Sequence, residues 1–197
     1  MVILEIMHST NQPVIHLYFI AIIPPAPVFT YAQELKTYFA DVYNSRAALR
    51  SPPHITLHMP FRYKQEKEKK LIHALETLSS DIQPFDVKIN GFGAFPPKVI
   101  YLDVVREDAL VHLQHSVGQM MKQTLNIHNV NYKDQVFHPH LTVAFRDLRK
   151  PRFLEAWEEF RSKVYKEVFT AESFSLLKHN GKDWDVFQRF RLKEPNV

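Results

Sequence analysis

Apolar and polar side chains alternate from Phe85 to Asn90, and this period of two predicts a half-buried strand. A turn rich in glycine and proline follows, and residues 99–105 predict the returning strand. Short apolar runs predict further strands over 16–23, 54–59, 139–145, 168–177 and 184–192, with a turn at Asn180 and Gly181 joining the last two.

Helical spacing separates these strands, because apolar residues recur every three or four positions in the intervening segments. The predicted stripes are Tyr31, Leu35, Tyr38 and Val42; Leu71, Ile72, Leu75 and Leu78; Leu110, Leu113, Val117 and Met121; and Phe153, Trp157, Phe160 and Val164. Residues 1–14 are predicted to be a loose lead-in ahead of the first strand.

The resulting order of elements is β-α-β-α-β-β-α-β-α-β-β, in which several neighbouring strands form hairpins. Hairpins favour an α+β fold with mainly antiparallel sheets over a doubly wound parallel sheet. The pattern also half-repeats, and no linker rich in glycine, serine or charge divides the halves. We therefore expect residues 1–197 to form one domain made of two similar lobes.

One tetrapeptide pattern occurs twice, as His54-Ile55-Thr56-Leu57 and as His140-Leu141-Thr142-Val143. Each copy follows a proline and begins a predicted strand. Because side chains alternate along a strand, the histidine and the threonine of each copy share one face, and apolar residues anchor the other. Two copies at equivalent places of a half-repeated chain indicate a two-sided site.

Paired imidazoles and hydroxyls suit displacement at phosphorus. An imidazole has a pKa of about 6.5, so it can accept or donate a proton near neutral pH. In-line displacement needs a base beside the attacking oxygen and an acid beside the leaving oxygen, and His54 and His140 facing each other would supply both without a metal. Thr56 and Thr142 would donate hydrogen bonds to the non-bridging oxygens. The near-symmetry of the motifs leaves open which histidine is the acid.

These motifs resemble those of the two-histidine (2H) phosphoesterase superfamily, and most of all its bacterial 2′-5′ RNA ligase/2′,3′-cyclic phosphodiesterase branch. Segments 91–96, 99–104 and 137–144 and the closing hairpin fit the same branch. The resemblance implies a bilobal, pseudo-twofold fold in which two mainly antiparallel sheets line a central cleft and helices cover the outer faces. It implies catalysis by His54, Thr56, His140 and Thr142 without a metal or other cofactor.

The substrate that the resemblance implies is a 2′,3′-cyclic phosphate, on a small nucleotide or at an RNA end, which is hydrolysed to a 2′-phosphate. Reversible 2′-5′ ligation, in which a 5′-hydroxyl replaces water, is the accompanying activity of the branch. The resemblance leaves the physiological substrate open.

Four further side chains are predicted to contact substrate. His58 would share a face with His54 and Thr56, and Tyr18 and Phe61 would stack a nucleobase at the cleft. Members of the branch often carry a basic residue at the place of Phe145. Here Arg146 stands one position later, where a strand side chain points to the other face. Arg146 is the fourth candidate, as a ligand of the substrate phosphate.

The amino-acid composition argues against several other classes of protein. Hydrophobic residues make up 45% of the chain and charged residues 23%, as in globular domains, and no apolar run approaches the roughly 20 residues of a membrane span. The absence of cysteine and of a targeting segment indicates a cytoplasmic protein without disulfides. A net charge of +4 permits an RNA partner, and the four glycines form no nucleotide-binding loop.

Two other interpretations stay open at this point. The chain could be a non-catalytic RNA- or nucleotide-binding module on the same scaffold. It could also be a metal-dependent phosphohydrolase, because His138 shares a predicted face with His140, as His58 does with His54. No carboxylate or cysteine clusters with these histidines in the sequence, which favours a metal-free site. A monomer is expected, since one chain supplies both halves of the site.

Overall fold

The computed structural model describes residues 12–128 and 136–193, which contain eight strands and four α-helices. The strands are β1 (Ile15–Ile22), β2 (Ile55–Lys64), β3 (Phe85–Phe95), β4 (Val99–Val104), β5 (His140–Ala144), β6 (Lys166–Ala171), β7 (Ser173–His179) and β8 (Trp184–Arg191). The helices are α1 (Val28–Val42), α2 (Glu68–Ser79), α3 (Asp108–Leu125) and α4 (Lys150–Phe160). Residues 1–11 of the predicted lead-in lie outside the described residues, and 12–14 have no regular secondary structure.

All eight strands belong to one antiparallel sheet, in the order β6-β3-β4-β5-β2-β1-β7-β8. Each half of that order holds four strands, and the halves meet where β2 pairs with β5. The predicted α+β class with antiparallel strands is confirmed. The two predicted sheets are the two halves of a single sheet, because the two motif strands pair directly with each other.

The four helices pack together with one face of this sheet. Strand residues such as Ile20, Ile55, Ile100 and Leu141 are fully buried in the same core as the apolar faces of all four helices. Burial of each such side chain stabilises the fold by about 1.5–3 kcal/mol. The opposite face carries a small separate cluster around Phe19, and this second face is the one that carries the motif histidines and threonines.

The buried face of α1 differs from the predicted stripe. Tyr38 and Val42 are exposed, whereas Ala32, Lys36 and Phe39 point into the core. Lys36 interrupts the apolar pattern on the buried face of α1. Hydrophobic spacing alone therefore predicts a buried face that is rotated about the helix axis from the observed one. Within the described residues, no helix combines the length and the apolar character that crossing a bilayer requires.

The predicted strand over 168–177 is two strands. β6 ends at Ala171, which pairs with Phe85 at one edge of the sheet, and β7 begins at Ser173 and pairs with β1 near the other edge. Only Glu172 lies between β6 and β7, so the sheet curves enough to bring these two strands end to end. Both segments are regular strands, so the pattern of apolar and polar residues does not show that the chain changes its pairing from β3 to β1 at Glu172.

Candidate active site

The two motifs meet at the seam between the halves of the sheet. Ile55 pairs in register with Leu141, and both side chains are fully buried in the core. An antiparallel register continued by one residue in each direction sets His54 beside Thr142 and Thr56 beside His140. The histidine of each motif therefore lies next to the threonine of the other, on the face away from the helices.

Both motif histidines are held by the same hydrogen bond. Nδ1 of His54 donates to the carbonyl oxygen of Pro52 at 2.7 Å, and Nδ1 of His140 donates to that of His138 at 2.8 Å. A carbonyl can only accept, so the hydrogen of each neutral ring resides on Nδ1. Nε2 of each ring is thus left as the free nitrogen, which can accept a proton or, when protonated, donate one.

An aromatic side chain from the neighbouring strand supports each ring. Phe19 of β1 lies 4.8 Å from His54 between ring centroids, and Trp184 stands 4.6 Å behind Phe19. In the other half, Tyr101 of β4 lies 5.1 Å from His140. These contacts restrict the orientations of the imidazoles, which is what proton transfer in a fixed geometry requires.

The surroundings of the two histidines disfavour their charged forms. Burial, and then the positive charge of Lys36, lower the pKa of His54 to about 3, although the bond to Pro52 opposes them. Burial also lowers the pKa of His140, while the bond to the His138 carbonyl and the carboxylate of Asp103 act in the opposite direction. Both rings are therefore neutral in the free protein at neutral pH, and His140 is the one with a carboxylate nearby to favour its protonation.

Lys36 joins helix α1 to the segment that precedes His54. Its side chain is buried, and Nζ donates to the carbonyl oxygen of Ser51 at 2.9 Å. Burial lowers the pKa of Lys36 to about 7. A buried lysine is uncommon in a protein core, and the sequence does not indicate this one because a lysine in an amphipathic helix ordinarily lies on the exposed face.

A second layer of polar contacts surrounds His140. Asp103 pairs with His140 across β4 and β5, and its Oδ1 lies 3.5 Å from Nε2 of His138. The Tyr101 hydroxyl lies 3.0 Å from the same nitrogen. His138 therefore serves the site through its carbonyl oxygen, which fixes His140, while its ring is engaged with Asp103 and Tyr101.

His58 does not share the face of His54 and Thr56. Ala21 pairs with Thr56 and the next residue, Ile20, pairs with His58, so β2 carries one extra residue at this point. Such a bulge turns the following side chain to the other face. His58 is accordingly only 1% exposed, in the core beside Phe61. The predicted substrate contact of His58 is wrong, because the buried ring has almost no exposed surface that a substrate could contact.

The predicted stacking residues Tyr18 and Phe61 also lie in the core. They stack on each other at 5.9 Å, and the Tyr18 hydroxyl is bound to Glu68, which Lys178 binds in turn. Phe19, which follows Tyr18 in β1, lies on the active-site face beside His54. For Tyr18 the predicted face is the wrong one by a single residue, because consecutive side chains of a strand point to opposite faces.

Arg146 lies beyond the end of β5 in a left-handed backbone conformation, with φ of 64°. Its guanidinium lies over the ring of Phe145, and it lines a pocket of 430 Å³ together with Arg46, Lys98 and Arg149. None of the motif histidines or threonines lines that pocket. The structure thus brings His54, Thr56, His140 and Thr142 together and places Arg146 in a separate pocket.

The residues that could hold a metal do not converge. Among residues 12–128 and 136–193, no three histidine, aspartate or glutamate side chains are grouped so as to bind a metal ion. The burial of His58 on the core face removes one member of the histidine set that had suggested such a site. The acid–base chemistry of two imidazoles is what the site offers.

Comparison with known proteins identifies the family of this chain. The family model of the 2′-5′ RNA ligase superfamily matches residues 24–183. The chain belongs to this superfamily. It is an enzyme of the 2H phosphoesterase class, as the paired motifs predict.

One relative is similar to this chain in sequence, and two solved structures are similar to it in fold. A Geobacillus kaustophilus protein named "Putative phosphoesterase" is 29% identical over 177 residues, which cover 88% of this chain and 94% of the relative. The fold matches a crystal structure of a Thermus thermophilus protein, TT0787, with a TM-score of 0.69 at 20% identity, over 91% of this chain and all of the other. It also matches E. coli LigT crystallised with 3′-AMP, with a TM-score of 0.60 at 19% identity, over 92% of this chain and all of the other.

Proposed function

We propose that this enzyme hydrolyses the 2′,3′-cyclic phosphate of a nucleotide or an RNA end to a 2′-phosphate, without a metal ion. The observation that carries the proposal is the matched pair of imidazoles at the seam. Each is fixed through Nδ1 to the carbonyl two residues before it, and each has Nε2 free. The family name and the 3′-AMP in the LigT crystals support a substrate that contains a nucleotide.

In the proposed reaction, His54 is the base and His140 is the acid. His54 takes a proton from water at Nε2 as the water oxygen bonds to phosphorus. His140 enters this step with a second hydrogen, on Nε2, because the negative charges of the bound phosphodiester and of Asp103 favour the protonated ring. The bond from phosphorus to O3′ breaks, and O3′ receives this proton from Nε2 of His140, which leaves the phosphate on O2′. Two environments support this order, because Lys36 disfavours the charged form of His54 and Asp103 favours that of His140.

The threonines complete the site. In this proposal the hydroxyls of Thr56 and Thr142 donate to the non-bridging oxygens, whose charge grows in the transition state. Because each threonine lies beside the histidine of the other motif, the phosphate is held between the two halves of the sheet. The same arrangement accepts a ribose 5′-hydroxyl in place of water, which is 2′-5′ ligation, and hydrolysis dominates wherever water is the abundant nucleophile.

The experiment that tests the proposal is turnover of a 2′,3′-cyclic mononucleotide in EDTA by the wild type, His54→Ala and His140→Ala. We expect a 2′-phosphate product from the wild type and a loss of about 10²-fold or more in each variant. His73→Ala, at an exposed histidine of α2, is the matched control and should keep the wild-type rate. Activity that EDTA abolishes would favour a metal-dependent phosphohydrolase, and nucleotide binding without turnover would favour a binding module.

The order of acid and base is tested with a substrate whose leaving group needs no proton. A nitrophenyl phosphodiester should restore the rate of the variant that lacks the acid, and not that of the variant that lacks the base. We expect rescue of His140→Ala. Rescue of His54→Ala instead would reverse the assignment and leave the two-histidine mechanism intact.

A further inference from the structure

A pocket of 730 Å³ lies where the start of β1, the end of β2 and the β7–β8 hairpin come together. This volume is in the range of small-ligand sites. The residues that give it chemical character are Leu17, Arg62, His179, Asn180, Asp185 and Val186. None of the motif histidines or threonines lines the pocket, so it is distinct from the site of bond cleavage.

A row of rings connects this pocket with His54. Phe19 lies 4.8 Å from His54, Trp184 lies 4.6 Å from Phe19, and His179 lies 5.0 Å from Trp184. His179 pairs with Trp184 across β7 and β8 and is itself part of the pocket wall. The pocket therefore lies on the active-site face, and three successive ring contacts link its His179 to His54.

Two donors in the pocket are available to an anion. Arg62 is exposed, and no carboxylate lies within ion-pair distance of it in the described part of the chain. Nδ1 of His179 accepts a hydrogen bond from the backbone N–H of Gly181 at 3.1 Å, so Nε2 carries the ring hydrogen and is a donor.

The other charged groups of the pocket already have partners. Lys178 binds Glu68 at 2.6 Å, and the Asp185 carboxylate accepts from the Asn180 amide at 2.8 Å. Leu17 and Val186 add an apolar wall next to these polar groups. An occupant with one negative group and one flat, mostly apolar group fits this lining best.

We propose that this pocket binds the second nucleotide from the 3′ end of an RNA substrate. This inference rests on the proposed function. A terminal 2′,3′-cyclic phosphate occupies O2′ and O3′ of the last ribose, so the chain leaves that ribose only through its 5′-oxygen, as a phosphate followed by another nucleoside. The linking phosphate binds Arg62 and Nε2 of His179, and the next base lies against Leu17 and Val186.

The pocket then distinguishes RNA ends from free mononucleotides. A cyclic mononucleotide with a free 5′-hydroxyl places nothing in the pocket, whereas a dinucleotide that ends in a cyclic phosphate fills it. A hydrogen bond to a charged group is worth a factor of about ten or more in an equilibrium constant. We expect the wild type to prefer the dinucleotide in kcat/KM by about tenfold or more.

The test is the ratio of kcat/KM for the dinucleotide to that for the mononucleotide, in the wild type, Arg62→Ala, His179→Ala and Arg191→Ala. Arg62→Ala should lower this ratio by about tenfold, mainly through a higher KM for the dinucleotide, and His179→Ala should lower it in the same direction. Arg191→Ala, at an exposed arginine of β8 outside the pocket, is the control and should keep the wild-type ratio. A ratio near one in the wild type, or an unchanged ratio in Arg62→Ala, would overturn the inference.

Binding measurements separate this inference from the proposed function. If the wild type turns over neither substrate, the proposed function fails. Affinity for a dinucleotide 3′-phosphate is then compared with that for a nucleoside 3′-phosphate. Tighter binding of the dinucleotide that Arg62→Ala abolishes upholds the pocket as a nucleotide subsite, and equal affinities reject it.

Discussion

Ile55 pairs in register with Leu141, and this pairing joins the two halves of the sheet. Both side chains are fully buried beneath the seam, so the residues on either side of them are held at a fixed spacing on the other face. Those residues are His54, Thr56, His140 and Thr142. The apolar member of each motif therefore performs a positioning task, and the two-sided chemistry of the site follows from it.

The threonine hydroxyls provide the first prediction. Thr56→Val and Thr142→Val keep the shape of the side chain and remove its donor, so each should lower kcat by about 10²-fold with a smaller change in KM, as loss of a transition-state donor does. Steady-state kinetics on a cyclic nucleotide measures this. Thr→Ser at the same positions retains the hydroxyl and should retain most of the rate. Equal losses in the Val and Ser variants would argue for packing.

Removal of Lys36 should move the acidic limb of the pH–rate profile. Lys36→Met deletes a positive charge that lowers the pKa of His54, so that pKa rises and the rate declines at a higher pH than in the wild type. The measurement is kcat/KM against pH. Lys122→Met, at an exposed lysine of α3, is the control and should leave the limb in place. An unmoved limb in Lys36→Met would show that the Lys36 charge does not reach His54.

The same lysine should make stability depend on pH. Its pKa is lowered from 10.5 to about 7, so between these values the unfolded chain binds a proton that the folded chain lacks. The free energy of unfolding of the wild type therefore increases with pH in this window and decreases as the pH falls through it. The slope is at most about 1.4 kcal/mol per pH unit. Denaturant unfolding from pH 7 to 10.5 should show this slope in the wild type and a smaller one in Lys36→Met.

Gly93 is predicted to be intolerant of a side chain. A Cβ at this position would lie 2.2 Å from the ring of Tyr101, which contacts His140 and His138. Gly93→Ala should displace that ring, lower kcat and destabilise the fold by about 1–3 kcal/mol. Gly118→Ala, in α3 with open space around it, should instead stabilise by about 0.5–1 kcal/mol and leave kcat unchanged. Kinetics and thermal unfolding of both variants check this.

His58 should be dispensable for catalysis. Nδ1 donates to the Met59 carbonyl at 2.9 Å, and Nε2 is buried without a partner among the described residues. An unsatisfied buried group costs about 1–3 kcal/mol, so His58→Leu should leave the free energy of unfolding unchanged or raise it, with kcat unchanged. A tenfold loss of kcat in a well-folded His58→Leu protein would return this residue to the active site.

Much of the fold and the centre of the site were determined by the sequence alone. Alternation within each motif sets a histidine and a threonine on one face of a strand, and it does so whatever the strand pairs with. The repeat of strands and helices predicted the α+β class and the antiparallel strands, because these depend on local periodicity and on short connections. The duplicated motif predicted a two-sided site for the same local reason.

The tertiary structure decided what lies around that centre. An extra residue in β2 sends His58 into the core, and the registers of β1 select Phe19 rather than Tyr18 for the active-site face. Lys36 reaches Ser51 because α1 packs over the motif segment, and one residue, Glu172, carries the chain between the two ends of the sheet. Bulges, registers and helix rotation are set by contacts between segments far apart in the chain, so periodicity within one segment does not contain them.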